Sequence, residues 1–261
     1  MKALTTLAVA AGAFLVGAPW AHADEELQAI LRNAEGDELG AYNRRHAPYE
    51  SPQTVAFELR FGRYVPDADE GVEGTPFADV FGGSSRYYGG LELSWQALRI
   101  PYVGTFGPGF GIGYTRATAK ALLESGEGRS SQPTSLTIIP MYVVGVLRAD
   151  ELSRRTPVPL VPYAKLGVGY AIWTASDADE TARVDGVLGR GASYGLQWAL
   201  GGMLLLDALA PEDAREADAS IGLNNAYLFA EWYRSELDGF GSDDQLEVGT
   251  DTWMVGLTLE F

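Results

Sequence analysis

From Thr54 to the C-terminal residue, apolar and polar positions alternate with a period of two in eight separate stretches. In residues 54–64 one face carries Val55, Phe57, Leu59 and Phe61, and the other carries Thr54, Ala56, Glu58, Arg60 and Gly62. Alternation of this kind predicts a β-strand with unlike faces. A second stretch, about 87–98, sets Leu91, Leu93, Trp95 and Ala97 against Gly90, Glu92, Ser94 and Gln96. A third, about 103–117, sets Phe106, Phe110, Ile112 and Tyr114 against Thr105, Gly107, Gly109, Gly111 and Gly113. The fourth, about 134–148, sets Leu136, Ile138, Tyr142, Val144 and Val146 against Thr137, Ile139, Met141 and Gly145. Both of its faces are apolar, so its phase stays open. The fifth (161–174), sixth (193–206) and seventh (224–237) repeat the pattern, and Thr252–Phe261 closes it.

Each stretch reaches the roughly 9 to 11 residues of a tilted membrane strand. The connections after strands 1, 3, 5 and 7, about 65–86, 118–133, 175–192 and 238–251, read as longer polar loops. Those after strands 2 and 4 are shorter. The connection 208–219 has helix formers after Pro211 and predicts a short surface helix. The fold class is therefore all-β: an eight-stranded antiparallel transmembrane β-barrel, built as an up-and-down meander.

Parity alone does not say which face is inside. A soluble barrel hides its apolar face, and a membrane barrel turns it to lipid. Three features favour the second arrangement. Glycines gather on the polar parity (Gly107, Gly109, Gly111, Gly113, Gly167, Gly169, Gly195 and Gly201), where a narrow eight-stranded interior needs small side chains. Glu58, Arg60, Glu92, Lys165, Glu231 and Glu260 lie mid-strand on that parity, and a cation turned to lipid costs about 2–4 kcal/mol near the midplane. Tyr64, Tyr87, Tyr88, Tyr102, Tyr163, Trp173, Trp232 and Trp253 sit near strand ends, as interfacial girdles do; ordinary β-propensity is the other account of them.

Residues 1–23 read as a signal peptide: Lys2, an apolar run from Ala3 to Ala18, then Ala21-His22-Ala23 as a small-x-small cleavage site. Residues 24–52 are polar and charged and read as a periplasmic arm. The expected address is the outer membrane of a Gram-negative bacterium, with both barrel ends of the chain periplasmic.

The terminal pattern Trp253, Val255, Leu257, Leu259 and Phe261 resembles the C-terminal assembly signal that the barrel-assembly machinery recognises. The stretches Glu58–Asp67, Ala230–Tyr233 and Gly256–Phe261 resemble a family of outer-membrane β-barrel proteins from myxobacteria and related δ-proteobacteria, of the OmpA/OmpX size class. The resemblance implies outer-membrane lipids and lipopolysaccharide as surroundings, and it brings no catalytic residues with it.

Composition narrows the chemistry. The chain of 261 residues has a formal charge of −16, which argues against nucleic acid as a partner. It has no Cys, which excludes disulfides and thiolate metal sites. Its two histidines, His22 and His46, lie outside the strands, so a Ser–His pair or a His-based metal site within the barrel is excluded. No enzyme, cofactor or metal is expected. Glu58, Glu92 and Glu231 offer either an acid pair or, more simply, a lumen charge network with Arg60 and Lys165 that plugs the barrel. The rival reading is a narrow channel for small or apolar solutes; a third is a soluble barrel holding an apolar ligand. The loops are acidic, with Asp67, Asp69, Glu70, Glu73 and Asp79 in the first, Asp177, Asp179, Glu180 and Asp185 in the third, and Glu236, Asp238, Asp243, Asp244 and Glu247 in the fourth. They suit solvation, or weak divalent cations. The run Gly107-x-Gly-x-Gly-x-Gly113 has strict period two and is no phosphate loop.

Overall fold

The alternating stretches become strands because each can bury one face and pair both edges. The computed structural model describes residues 54–70, 74–82, 86–122, 129–156, 158–177, 180–184, 187–209, 211–242 and 245–261. The expected signal peptide and arm lie outside the described residues.

Eight long strands carry the fold: β1 (Val55–Arg63), β2 (Tyr87–Trp95), β3 (Gly104–Leu122), β4 (Arg129–Arg148), β5 (Leu160–Asp177), β6 (Arg190–Leu205), β7 (Asn225–Glu236) and β8 (Thr250–Glu260). Each pairs antiparallel with its sequence neighbours. β8 then pairs with β1, so the sheet closes on itself with no free lateral edge in its central zone. The seam is reinforced at the chain end, where the Thr54 amide donates to the Phe261 carbonyl (2.9 Å) and the Phe261 amide to Val55 (2.8 Å).

The end of the barrel where β1 begins and β8 finishes also carries the turns after β2, β4 and β6. There Leu98–Ile100 adds a short strand against β3, helix α1 (Glu151–Arg155) follows β4, and helix α2 (Pro211–Ile221) follows β6, where Pro211 predicted one. The opposite end, called the far rim below, carries helix α3 (Pro76–Phe81) between β1 and β2. Asp69 receives the first amides of α3, from Phe77 (2.6 Å) and Ala78 (2.9 Å), groups that have no partner within a helix.

Two expectations change here. The polar loop expected at 118–133 is mostly strand: β3 runs to Leu122 and β4 begins at Arg129, with Thr118 opposite Ser135 and Ala119 opposite Thr134. β-branched Thr118 and Thr134 suit this extended pairing despite their polarity. The open phase of the fourth strand is also fixed. Leu136, Ile138, Tyr142, Val144 and Val146 point inward, while Val143 and Leu147 are exposed outside.

The faces elsewhere follow parity. Glu58, Arg60, Glu92, Lys165 and Glu231 are buried, whereas Phe61, Leu93, Phe110, Leu166, Leu200, Leu228 and Trp253 are exposed. Of the aromatics expected in the girdles, Tyr87, Tyr102, Trp232 and Trp253 are exposed, but Tyr64, Tyr88 and Tyr163 are buried and Trp173 packs against the interior cluster. Strand-end position does not separate the two groups. Parity does, since Tyr64, Tyr88, Tyr163 and Trp173 share it with Glu58, Glu92 and Lys165.

Candidate functional site: the barrel interior

Register sets the central problem of the interior. Glu58 on β1 lies directly opposite Glu92 on β2, and like charges so placed repel. Lys165 answers both from β5, on the opposite wall. Its Nζ is 2.6 Å from Glu58 Oε2, 2.8 Å from Glu92 Oε1 and 3.8 Å from Glu231 Oε2. Arg60, also on β1, contacts Glu92 (Nη1–Oε2, 2.5 Å) and ion-pairs with Glu231 from β7. The five charged residues singled out from the sequence are thus brought into one cluster.

The interior holds more than those five. Arg148, at the end of β4, contacts Glu58 and Glu260 at 3.1 Å each, and donates to Ser94 Oγ at 2.9 Å. Glu260 also accepts from Gln96 Nε2 (2.9 Å), Asn225 Nδ2 (3.0 Å) and Tyr227 (3.1 Å). Three cations therefore face four carboxylates across the lumen. Tyrosines add to the network: the Tyr142 hydroxyl donates to Glu92 (2.7 Å) and that of Tyr163 to Glu231 (2.8 Å), while Tyr142 also accepts from Arg60. Ion pairs and hydrogen bonds of this kind offset the desolvation of a buried ionic cluster, while Arg60 Nε and Arg148 Nε are buried without a hydrogen-bond partner among the described residues. Arg148 and Tyr142 escape a sequence reading because the phase of β4 is ambiguous there. Once Val144 and Val146 are known to point inward, both follow by parity.

Apolar layers sit above and below this belt. Toward the chain ends, Val161, Met203, Leu205, Tyr227 and Phe229 form a buried cluster inside the barrel. Toward the far rim, Tyr64, Phe77, Tyr88, Leu237, Val248 and Met254 form a cap. Phe77 comes from α3, and Leu237 and Val248 from the β7–β8 connection, so two loops fold over the opening. They are tied down by Tyr64 donating to the Val248 carbonyl (2.5 Å), Thr250 Oγ1 donating to Val65 (2.9 Å) and the Asp67 amide donating to Gly249 (3.0 Å). A niche of about 10 Å³ beside Ser94, Gln96, Thr105 and Arg148 is about the size of one water.

The loop carboxylates have local roles. Asp69 caps α3, and Asp238 accepts from the amides of Phe240 and Gly241 at 3.0 Å each. Burial pushes the Asp67 carboxyl up to about 6, with Glu70, Asp251 and Glu247 adding to the shift and Arg234 opposing it. Glu247 is raised by burial and by Glu70. Glu73, Asp179, Asp185, Asp243 and Asp244 lie outside the described residues. Among the described residues no three His, Asp or Glu side chains gather to hold a metal ion. The terminal strand presents Trp253, Val255, Leu257, Leu259 and Phe261 on the outer face, opposite in parity to buried Met254, Thr258 and Glu260.

No protein-family profile and no curated protein matches the chain. Solved structures do resemble it. The attachment invasion locus protein Ail of Yersinia pestis, in complex with the heparin analogue sucrose octasulfate, is 14% identical over 81% of this chain and 99% of that one, with a TM-score of 0.41. The outer membrane protein OprG of Pseudomonas aeruginosa is 14% identical over 81% and 97%, with a TM-score of 0.46. The N-terminal β-barrel domain of OprF from the same organism is 12% identical over 81% and 100%, with a TM-score of 0.35.

Proposed function

We propose that the chain is an integral outer-membrane β-barrel with a closed lumen and a structural or interaction role in the cell envelope. It is not an enzyme in this reading. The end where β1 begins and β8 finishes faces the periplasm and the far rim faces outward. The observation that carries the reading is the inversion of the barrel, with aliphatic and aromatic side chains outside and a cross-lumen cluster of Lys165, Arg60, Arg148 and four carboxylates inside. Outside a membrane, that apolar face has no reason to be so continuous. The resemblance of the signal peptide, the terminal strand and the 58–67 stretch to exported barrels supports the same reading. On this account, lipids and lipopolysaccharide surround the wall and the assembly machinery reads β8.

Closure is supported by the belt and by the apolar layers on either side of it. A solute path through the bore must break ion pairs such as Glu58–Lys165–Glu92, which span opposite walls. Single barrels reconstituted in planar bilayers are expected to give no steady conductance. A stable open current through the wild-type protein overturns the closed-lumen reading in favour of a narrow channel.

A further inference from the structure

The outer wall at the far rim carries a registered row that the interior does not use. Arg63 on β1 pairs with Tyr87 on β2, and the β2–β3 register that sets Tyr88 opposite Thr115 puts Tyr87 opposite Arg116. All three point outward and are exposed, Tyr87 at 74%. Adjacent strands lie about 4.8 Å apart, so the two arginines flank Tyr87 at about 10 Å between backbones, within joint reach of one anionic group.

One step toward mid-barrel on the same face comes the row Phe61, Gly89, Tyr114. Phe61 and Tyr114 stand exposed on either side, and a Cβ placed on Gly89 meets nothing within 4 Å. The glycine therefore leaves a furrow between two aromatic walls. The next row, Leu59, Leu91 and Ile112, continues it with aliphatic side chains.

Two arginines over an apolar furrow match an amphiphile with an anionic head and an acyl tail. The charge is telling: a chain of net −16, with acidic loops on this same rim, keeps two guanidinium groups turned outward just above its aromatic belt. Guanidinium forks suit phosphate oxygens better than any other common anion partner except carboxylate. Arg116 is also steadied, its Nη2 donating to Ser135 Oγ at 3.1 Å.

We propose that β1–β3 form a docking site for the phosphorylated glycolipid of the outer leaflet. One lipid A phosphate sits between Arg63 and Arg116, its sugar lies against Tyr87, and one acyl chain runs down the furrow at Gly89. The site rests on the outer-membrane reading, because it assigns the far rim to the outer leaflet.

The test uses the full barrel in detergent and native mass spectrometry with three probes: hexa-acylated lipid A bearing both phosphates, the same lipid without phosphate, and phosphatidylglycerol. The wild type is expected to retain the bisphosphorylated lipid A alone. Arg63→Gln with Arg116→Gln weakens that binding by at least about tenfold, the scale of a lost charge-assisted hydrogen bond. Gly89→Phe, which fills the furrow and leaves the charges in place, also weakens it. Arg190→Gln, an exposed arginine on β6, leaves it unchanged. Heat-shifted gel mobility checks that each variant is folded. Equal retention by the double variant, or equal retention of phosphatidylglycerol or of the dephosphorylated lipid by the wild type, overturns the site. Insertion into phosphatidylcholine vesicles separates the two levels: a barrel that inserts but holds no lipid A loses only this site, whereas one that never inserts loses the membrane reading itself.

Discussion

At Lys165 one ammonium answers two carboxylates that the β1–β2 register sets face to face, and a third from β7. Replacing it with Met keeps much of the volume and leaves Glu58 and Glu92 confronting each other in a buried bore. Removing one partner of a buried ion pair costs about 3–5 kcal/mol, so Lys165→Met should lower the urea midpoint of vesicle-embedded barrel markedly. Adding Glu92→Gln should recover part of the loss. Asp67 tests the rim instead. Its carboxyl titrates near 6 in the folded molecule, against about 3.9 in an unfolded chain. The folded state holds this proton more tightly, so the stabilisation is complete below about pH 4 and is lost as the pH rises through 6. The Asp67 amide, which donates to Gly249, should show less hydrogen-exchange protection at pH 7 than at pH 5 after correction for intrinsic rates. In Asp67→Asn the two values should coincide.

Among the elements, β3 and β4 show what period two conveys and what it withholds. The glycines of β3 were legible as inward positions, but their use was not. A Cβ on Gly111 would run into the Tyr142 ring, and one on Gly113 into Tyr88. These absent side chains are the space in which two interior tyrosines lie. That pairing is long-range and leaves no local mark in the sequence. Gly111→Ala should therefore destabilise by about 1–3 kcal/mol, as overpacking does. Tyr142→Phe should not relieve it, because the ring remains, whereas Tyr142→Leu should, giving a coupling in a double-mutant cycle. The strands with one charged or glycine-bearing face, β1, β2, β3, β5, β6, β7 and β8, have a parity that can be read from sequence, because most mid-strand charges and glycines mark the same side of each. In β4 it cannot, since its two faces differ little in hydropathy, and Arg148 was hidden with it. The girdle aromatics fail for a related reason: a tyrosine at a strand end suits the interface or the bore equally well, and only its parity relative to a known charge decides.

On the scale of the whole molecule, the interior and the exterior make a single claim about solvent. The ionic belt gains nothing by being buried unless the alternative face is worse, and it is worse only where the surroundings are hydrocarbon. Leu166, 65% exposed on β5, is the outward neighbour of Lys165. In a lipid wall an arginine at that position costs about 2–4 kcal/mol near the midplane; on a water-facing wall a surface substitution stays within about 0.5 kcal/mol. Leu166→Arg leaves the belt intact, so any loss comes from the medium outside. The expected outcome is a drop of a few kcal/mol in unfolding free energy in phosphatidylcholine vesicles. A companion substitution beyond the membrane zone, Leu209→Arg on the exposed β6–β7 connection, should change nothing. Identical stabilities for Leu166→Arg and the wild type in vesicles would mean that water, not lipid, bathes this face, and the assignment of inside and outside would lose its physical basis.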